Sequence, residues 1–238
     1  MDIRGVSRRF GAVALVVGPL ALVAGSLFEV AGDDTSVSTS LTKIARHQGE
    51  QRVLIVVDLI AVFMLPAMMY LMRLSRRGAP RSVIVGGAVA FAGWLGGLIS
   101  LGGSDILLYH AARLPERSIA VSLVKSVVSD PGFVVSEAVF IVCHLIGMLV
   151  LGFALWRSRV VPAWVAGLVG VGPIVHLVVH DLSGAVDAAA YGLVAVGMIA
   201  CAVTLVRTSN EEWDLPAGAS VRPDRTALTV DAQLPVSR

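Results

Sequence analysis

The chain reads as an all-α, polytopic membrane bundle of six transmembrane helices. Three observations predict this. Of its 238 residues, 56% are hydrophobic and only 15% are charged, and the mean hydropathy is +0.81, a balance too apolar for a water-soluble domain of this length. The apolar residues also gather into six runs, each near the roughly 20 helical residues that a bilayer core of about 30 Å requires.

The first run, 10–28, follows Arg4, Arg8 and Arg9. Ser7-Arg8-Arg9-Phe10 looks like an export signal, but the apolar stretch is too long for a signal core and five more runs follow, so a retained span is expected. An outer segment over 31–52 contains Leu41, Ile44 and Ala45 at helical spacing, with Thr39 or Ser40 as the expected cap of a short amphipathic helix. The second run is 53–72 and contains Pro66. The third, 83–103, carries Gly86, Ala90, Gly93 and Gly97, a spacing that lets helix backbones approach closely.

A second outer segment over 104–132 contains an amphipathic stretch. From 115 to 130, Ile119, Leu123, Val124, Val127 and Val128 share one helical face, suited to lying flat in the interface over whatever opens there. The fourth run is 133–156, the fifth 160–180 with Pro173 inside it, and the sixth 188–206. The residues from 207 to 238, with three prolines and mixed charge, are expected to be a disordered tail.

Basic residues orient the bundle. Before the first run, between the second and third, between the fourth and fifth, and after the sixth lie 13 of the 19 lysines and arginines, which places those segments and both termini in the cytoplasm of a multi-pass plasma-membrane protein. Trp156 and Trp164 flank the Arg157/Arg159 turn at the expected headgroup level. A formal charge of +2 with scattered basic clusters excludes a nucleic-acid partner, and lipid is the partner the composition demands. Cys143 and Cys201 lie inside apolar runs, where thiols behave as small hydrophobes.

The ionisable residues within the runs are distributed unevenly: they fall in the outer halves of the helices. Asp58 is about five residues into its run, Glu137 about four, and His176 about four short of the end, so all three lie roughly 6 to 8 Å below the outer boundary. Glu29, Asp105 and Tyr191 lie nearby as accessory groups, while His144 lies deepest. Glu137 and His144 follow one face of their helix, and His176 and His180 are one turn apart. A charge facing lipid costs several kcal/mol, which turns Asp58, Glu137, His144, His176 and His180 inward around an outward-facing polar pocket.

Three readings of that pocket stand open. It binds, senses or transports a small molecule, cation or proton. Alternatively it holds a divalent metal through His176, His180 and Glu137, or a haem, as an enzyme or redox protein; the depth difference between His144 and His176 disfavours bis-histidine haem. Or an ion pair simply fixes helix register. No serine or cysteine nucleophile set, phosphate loop or dinucleotide fingerprint occurs in the sequence. Oligomeric state is not written in these residues.

The turn Arg157-Ser158-Arg159-Val160-Val161-Pro162-Ala163-Trp164, with the basic start and Ile44-Ala45-Arg46-His47-Gln48 before the second run, resembles a bacterial family of six-span membrane proteins of uncharacterised function. The resemblance covers most of 10–206 and implies a six-helix bundle. It supplies no substrate, cofactor or functional residue.

Overall fold

A computed structural model describes residues 2–30, 36–180 and 182–216. These residues are helical, with no strand among them. In chain order the helices are α1 (Ile3–Phe28), α2 (Val37–Arg46), α3 (Gln48–Ile60), α4 (Met64–Ser75), α5 (Pro80–Ala111), α6 (Arg117–Val128), α7 (Pro131–Ser158), α8 (Ala163–Val179), α9 (Gly184–Arg207) and α10 (Asn210–Asp214). Five helical stretches are long and apolar enough to cross a membrane: α1, α3 to α4 taken as one rod, α5, α7 and α9. This is the make-up of a multi-pass membrane protein. The fifth run forms α8, at 17 residues shorter than the rest.

Local chemistry sets the boundaries. Asp2 caps α1 by accepting from the Arg4 amide, Asp130 caps α7 through the Gly132 amide, and Ser183 caps α9 through the Val186 amide. Pro80 and Pro131 occupy first-turn positions, where the missing N–H costs nothing. The cap of α2 is Ser36, whose hydroxyl accepts from Thr39. Thr39 and Ser40, the expected caps, lie inside the helix; Ser36 wins because its extended backbone lets the hydroxyl reach the first turn. Residues 210–214, placed in the tail by sequence, form α10, closed by a capping box between Ser209 and Glu212. The remainder of the expected tail, 217–238, and Asp181 lie outside the described residues.

The rods close into a ring. Helix α1 packs on α9, α9 on α8, α8 on α7, α7 on α5, and α5 on the α3–α4 rod, which returns to α1. The α5–α7 seam uses the small residues: a Cβ at Gly93 would stand 2.8 Å from the Cα of His144 and one at Gly97 2.6 Å from the Phe140 ring, so neither position has room for one. Leu15, Met64, Met68, Leu71, Met148, Leu151 and Met198 fill the ring's interior toward the α1 N-terminus. Outward, Val85, Leu95, Val142, Phe153 and Val203 are exposed, an apolar girdle fit for lipid contact.

The α3–α4 rod is broken. Ahead of Pro66 the chain tightens into a 3-10 turn at Ala61–Phe63, the adjustment a helix makes where proline removes an N–H and crowds the preceding turn. The break begins one turn below Asp58. At the same end, α2 and α6 lie over the end of α5 and build a small separate core from Leu41, Ile44, Ala111, Ala112, Ala120 and Val124. The buried stripe of α6 is thus Ala120 and Val124. Of the face expected to lie in the interface, Ile119, Leu123 and Val128 are exposed, while Val124 packs into this small core.

Candidate functional site

At the end of the ring where α1 finishes and α9 begins, a cavity of about 500 Å³ opens between the rods. Its position follows from the fold: the apolar interior fills the other end, and the break in the α3–α4 rod holds Asp58 away from it. The lining grades inward. Glu29, Glu137 and His180 are exposed at the rim, Asp58 and Asp105 are half-buried, and Asp187 and Tyr191 are buried in the back wall. Among the described residues, five carboxyls and two imidazoles line the cavity, with no lysine or arginine.

The back wall is one hydrogen-bonded chain. His176 Nδ1 pairs with Asp187 Oδ1 at 2.5 Å, and its Nε2 meets the Tyr191 hydroxyl at 2.9 Å. Ser26 donates from its hydroxyl to Asp187 Oδ2 and also reaches the Leu22 carbonyl at 3.3 Å. The Tyr191 ring stacks on the imidazole with centroids 4.0 Å apart. Asp187 therefore accepts on both oxygens, which orients the imidazole and fixes its Nε2 toward the phenol. The carboxylate sits in the first turn of α9, where the helix dipole favours negative charge.

On the opposite wall, Asp58 and Asp105 line the cavity together. Gln51 donates to Asp105 Oδ1 at 2.9 Å, whereas Asp58 Oδ2 is buried with no donor from the described residues. Two carboxyls lining one cavity repel when both are ionised, and a cation between them relieves that repulsion.

The structure thus brings Asp58, Glu137, His176 and His180 to one cavity, with Glu29, Asp105 and Tyr191. His144 is not among them. It is 4% exposed, stacked on Phe140 with centroids 5.2 Å apart and set 4.6 Å from the Trp94 ring centroid, with its Nε2 unpartnered. Depth put it near the pocket, but the rotation of α7 sends it into the seam against α5, behind Phe140. Of the candidate metal set His176, His180 and Glu137, both His176 nitrogens are engaged by Asp187 and Tyr191, and among the described residues no three metal-ligating side chains converge.

Asp187 and Ser26 complete the site and were not singled out by sequence. Asp187 reads as an ordinary interfacial residue, and nothing local ties it to Ser26, 161 positions away. Comparison with family models, curated proteins and solved structures finds no match, so the likeness of the 157–164 turn to the six-span family stands on its own residues.

Proposed function

We propose that this protein binds a small cation, an organic amine being the best fit, in an outward-facing cavity of a six-span membrane bundle whose two ends are cytoplasmic. One observation carries the reading: five carboxyls and two imidazoles line the cavity, and no lysine or arginine stands among its described lining residues. The Asp187–His176 pair accounts for part of that charge, leaving Asp58, Asp105 and Glu137 to hold a cation. Ala21, Leu22, Leu54, Phe133 and Phe140 supply apolar walls for the body of an amine. Beneath lies the packed interior around Met64, Met148 and Met198, which supports binding or sensing over passage through the bundle.

The short α8 completes the sixth span, since 17 residues rise about 26 Å, enough for a helix flanked by residues that reach the headgroups. Basic residues at the ends of α4, α7 and α9 support cytoplasmic termini.

The test is thermal unfolding of detergent-purified protein with primary, quaternary and aromatic amines and with matched carboxylates. Saturable stabilisation by amines alone, lost in Asp58→Asn with Asp105→Asn, supports the reading. Stabilisation by anions, or by no cation, refutes it. Orientation is read separately by impermeant maleimide labelling of Ser122→Cys and Glu211→Cys in a background lacking Cys143 and Cys201; only the first should label in intact cells.

A further inference from the structure

The other end of the ring carries charge of the opposite sign. A cleft of about 290 Å³ lies between the end of α4, the turn after α7, the end of α9 and α10. Arg73, Arg76, Arg77 and Arg159 line it, and Glu212 is the single carboxylate in the lining. Measured along α9, whose first turn holds Asp187 and whose last turns hold Thr204, the two sites are separated by about 26 Å of helix.

Two of the four arginines hold the cleft in shape. Arg76 Nη2 donates to the Trp213 and Leu215 carbonyls at 2.6 and 2.7 Å, and Arg73 donates to the Trp213 carbonyl at 3.2 Å while its guanidinium lies 4.0 Å from the Trp213 ring centroid. Trp213 is buried and stacks on Tyr70. A further tie, Arg4 to Asp214 at 2.9 Å, fixes α10 to the start of α1. The remaining two, Arg77 and Arg159, form no ion pair among the described residues.

The other polar groups in the cleft are spent. Glu212 Oε2 accepts from the Ser209 amide in the capping box. Thr204 and Thr208 donate their hydroxyl protons to the carbonyls of Ala200 and Thr204. What faces the open space is guanidinium N–H, with four positive charges against one negative. The field is felt within the cluster: burial, and after it the cations of Arg73 and Arg77, hold the Arg76 guanidinium below its ordinary range. Guanidinium forks match the tetrahedral oxygens of phosphate, and basic pockets at the cytoplasmic ends of membrane helices suit phosphate headgroups.

We propose that this cleft binds a phosphate group, with Arg77 and Arg159 as its direct donors and Arg73 and Arg76 as the frame that also secures α10. The group comes either from an anionic phospholipid at the membrane face or from a free phosphate.

The experiment is thermal unfolding of the full chain in a non-ionic detergent, titrated separately with phosphatidylglycerol, phosphatidylcholine and inorganic phosphate. The expected result is a saturable upward shift with phosphatidylglycerol or inorganic phosphate and none with phosphatidylcholine. A shift confined to phosphatidylglycerol assigns the lipid, and an equal shift with inorganic phosphate assigns the free anion. Arg77→Gln with Arg159→Asn should weaken half-saturation about tenfold; asparagine tolerates the left-handed backbone of residue 159, where φ is 54°. Arg81→Gln with Arg157→Gln, two arginines outside the cleft, should leave it unchanged. If the double variant does not fold, Arg77→Gln alone carries the comparison. No phosphate-dependent shift, or equal weakening in the cleft and control variants, overturns the proposal.

Discussion

Removing the Asp187 carboxylate is the sharpest test of the back wall. The side chain is only 9% exposed, and it accepts from two groups: His176, at 2.5 Å, and Ser26. The two are not equally dependent on it. Ser26 retains a second acceptor, the Leu22 carbonyl at 3.3 Å, whereas the Nδ1 side of His176 has no other partner among the described residues. Asp187→Ala therefore strands the imidazole alone, and breaking such a pair from one side costs about 3–5 kcal/mol. For a chain of this size that is roughly 6 to 20 °C in Tm. Asp187→Asn is milder. Its amide oxygen still takes the Ser26 proton, and its NH₂ can donate to Nδ1 if the imidazole proton moves to Nε2 and is donated to Tyr191, so the loss is the charge assistance, about 1–2 kcal/mol. Unfolding in mixed micelles by denaturing detergent measures each variant. A double-mutant cycle should give a large coupling for Asp187 with His176 and a small one for Asp187 with Ser26. An Asp187→Ala protein within about 0.5 kcal/mol of the parent, or equal couplings in both cycles, would show that the chain described does not hold the site together.

Three further outcomes follow from other parts of the molecule. Gly93→Ala places a methyl 2.8 Å from the His144 Cα and should cost about 1–3 kcal/mol by overpacking, read as a lower Tm; Gly167→Ala, which meets nothing within 4 Å, should be neutral. Arg73→Ala removes both the stacking on Trp213 and the bond to its carbonyl, so amides 210–214 should exchange with deuterium about tenfold faster while those of α5 do not change. The carboxyl of Asp2 is held below its ordinary value of 3.8, chiefly by the Gly5 amide. Its capping contribution is therefore fully present above that value and is lost as the pH falls through the lowered one, so NMR should show residues 3–6 fraying on acidification, and Asp2→Asn should remove that pH dependence.

The helices were legible because length and hydropathy are local quantities. The runs at 10–28 and 188–206 sit inside α1 and α9, and Pro66 announces the break in its rod. The depths of Asp58 and His176 follow from counting residues, and the i,i+4 spacing of His176 and His180 from helical geometry. What counting cannot supply is rotation about the helix axis. His144 has the right depth and the wrong azimuth, and the one hint was Phe140 four residues before it, an aromatic neighbour that marks a packed face. Nor does any local pattern join Ser26 to Asp187, because that bond exists only once α1 lies along α9. The same holds for α10, whose residues are polar enough to pass for tail until Trp213 finds Tyr70 and Arg73.

The level of the cavity has an electrical meaning. The α3–α4 rod spans Gln48–Ser75, and Asp58 stands about 5 Å from its midpoint toward the Gln48 end. A monovalent cation that reaches this carboxylate in the proposed orientation crosses roughly a third of the membrane's voltage drop. At 100 mV that is about 0.7 kcal/mol, or about threefold in affinity, with a cell interior that is negative favouring occupancy. Depolarisation then releases ligand without any helix moving, and in vesicles of inverted orientation the same voltage acts with the opposite sign.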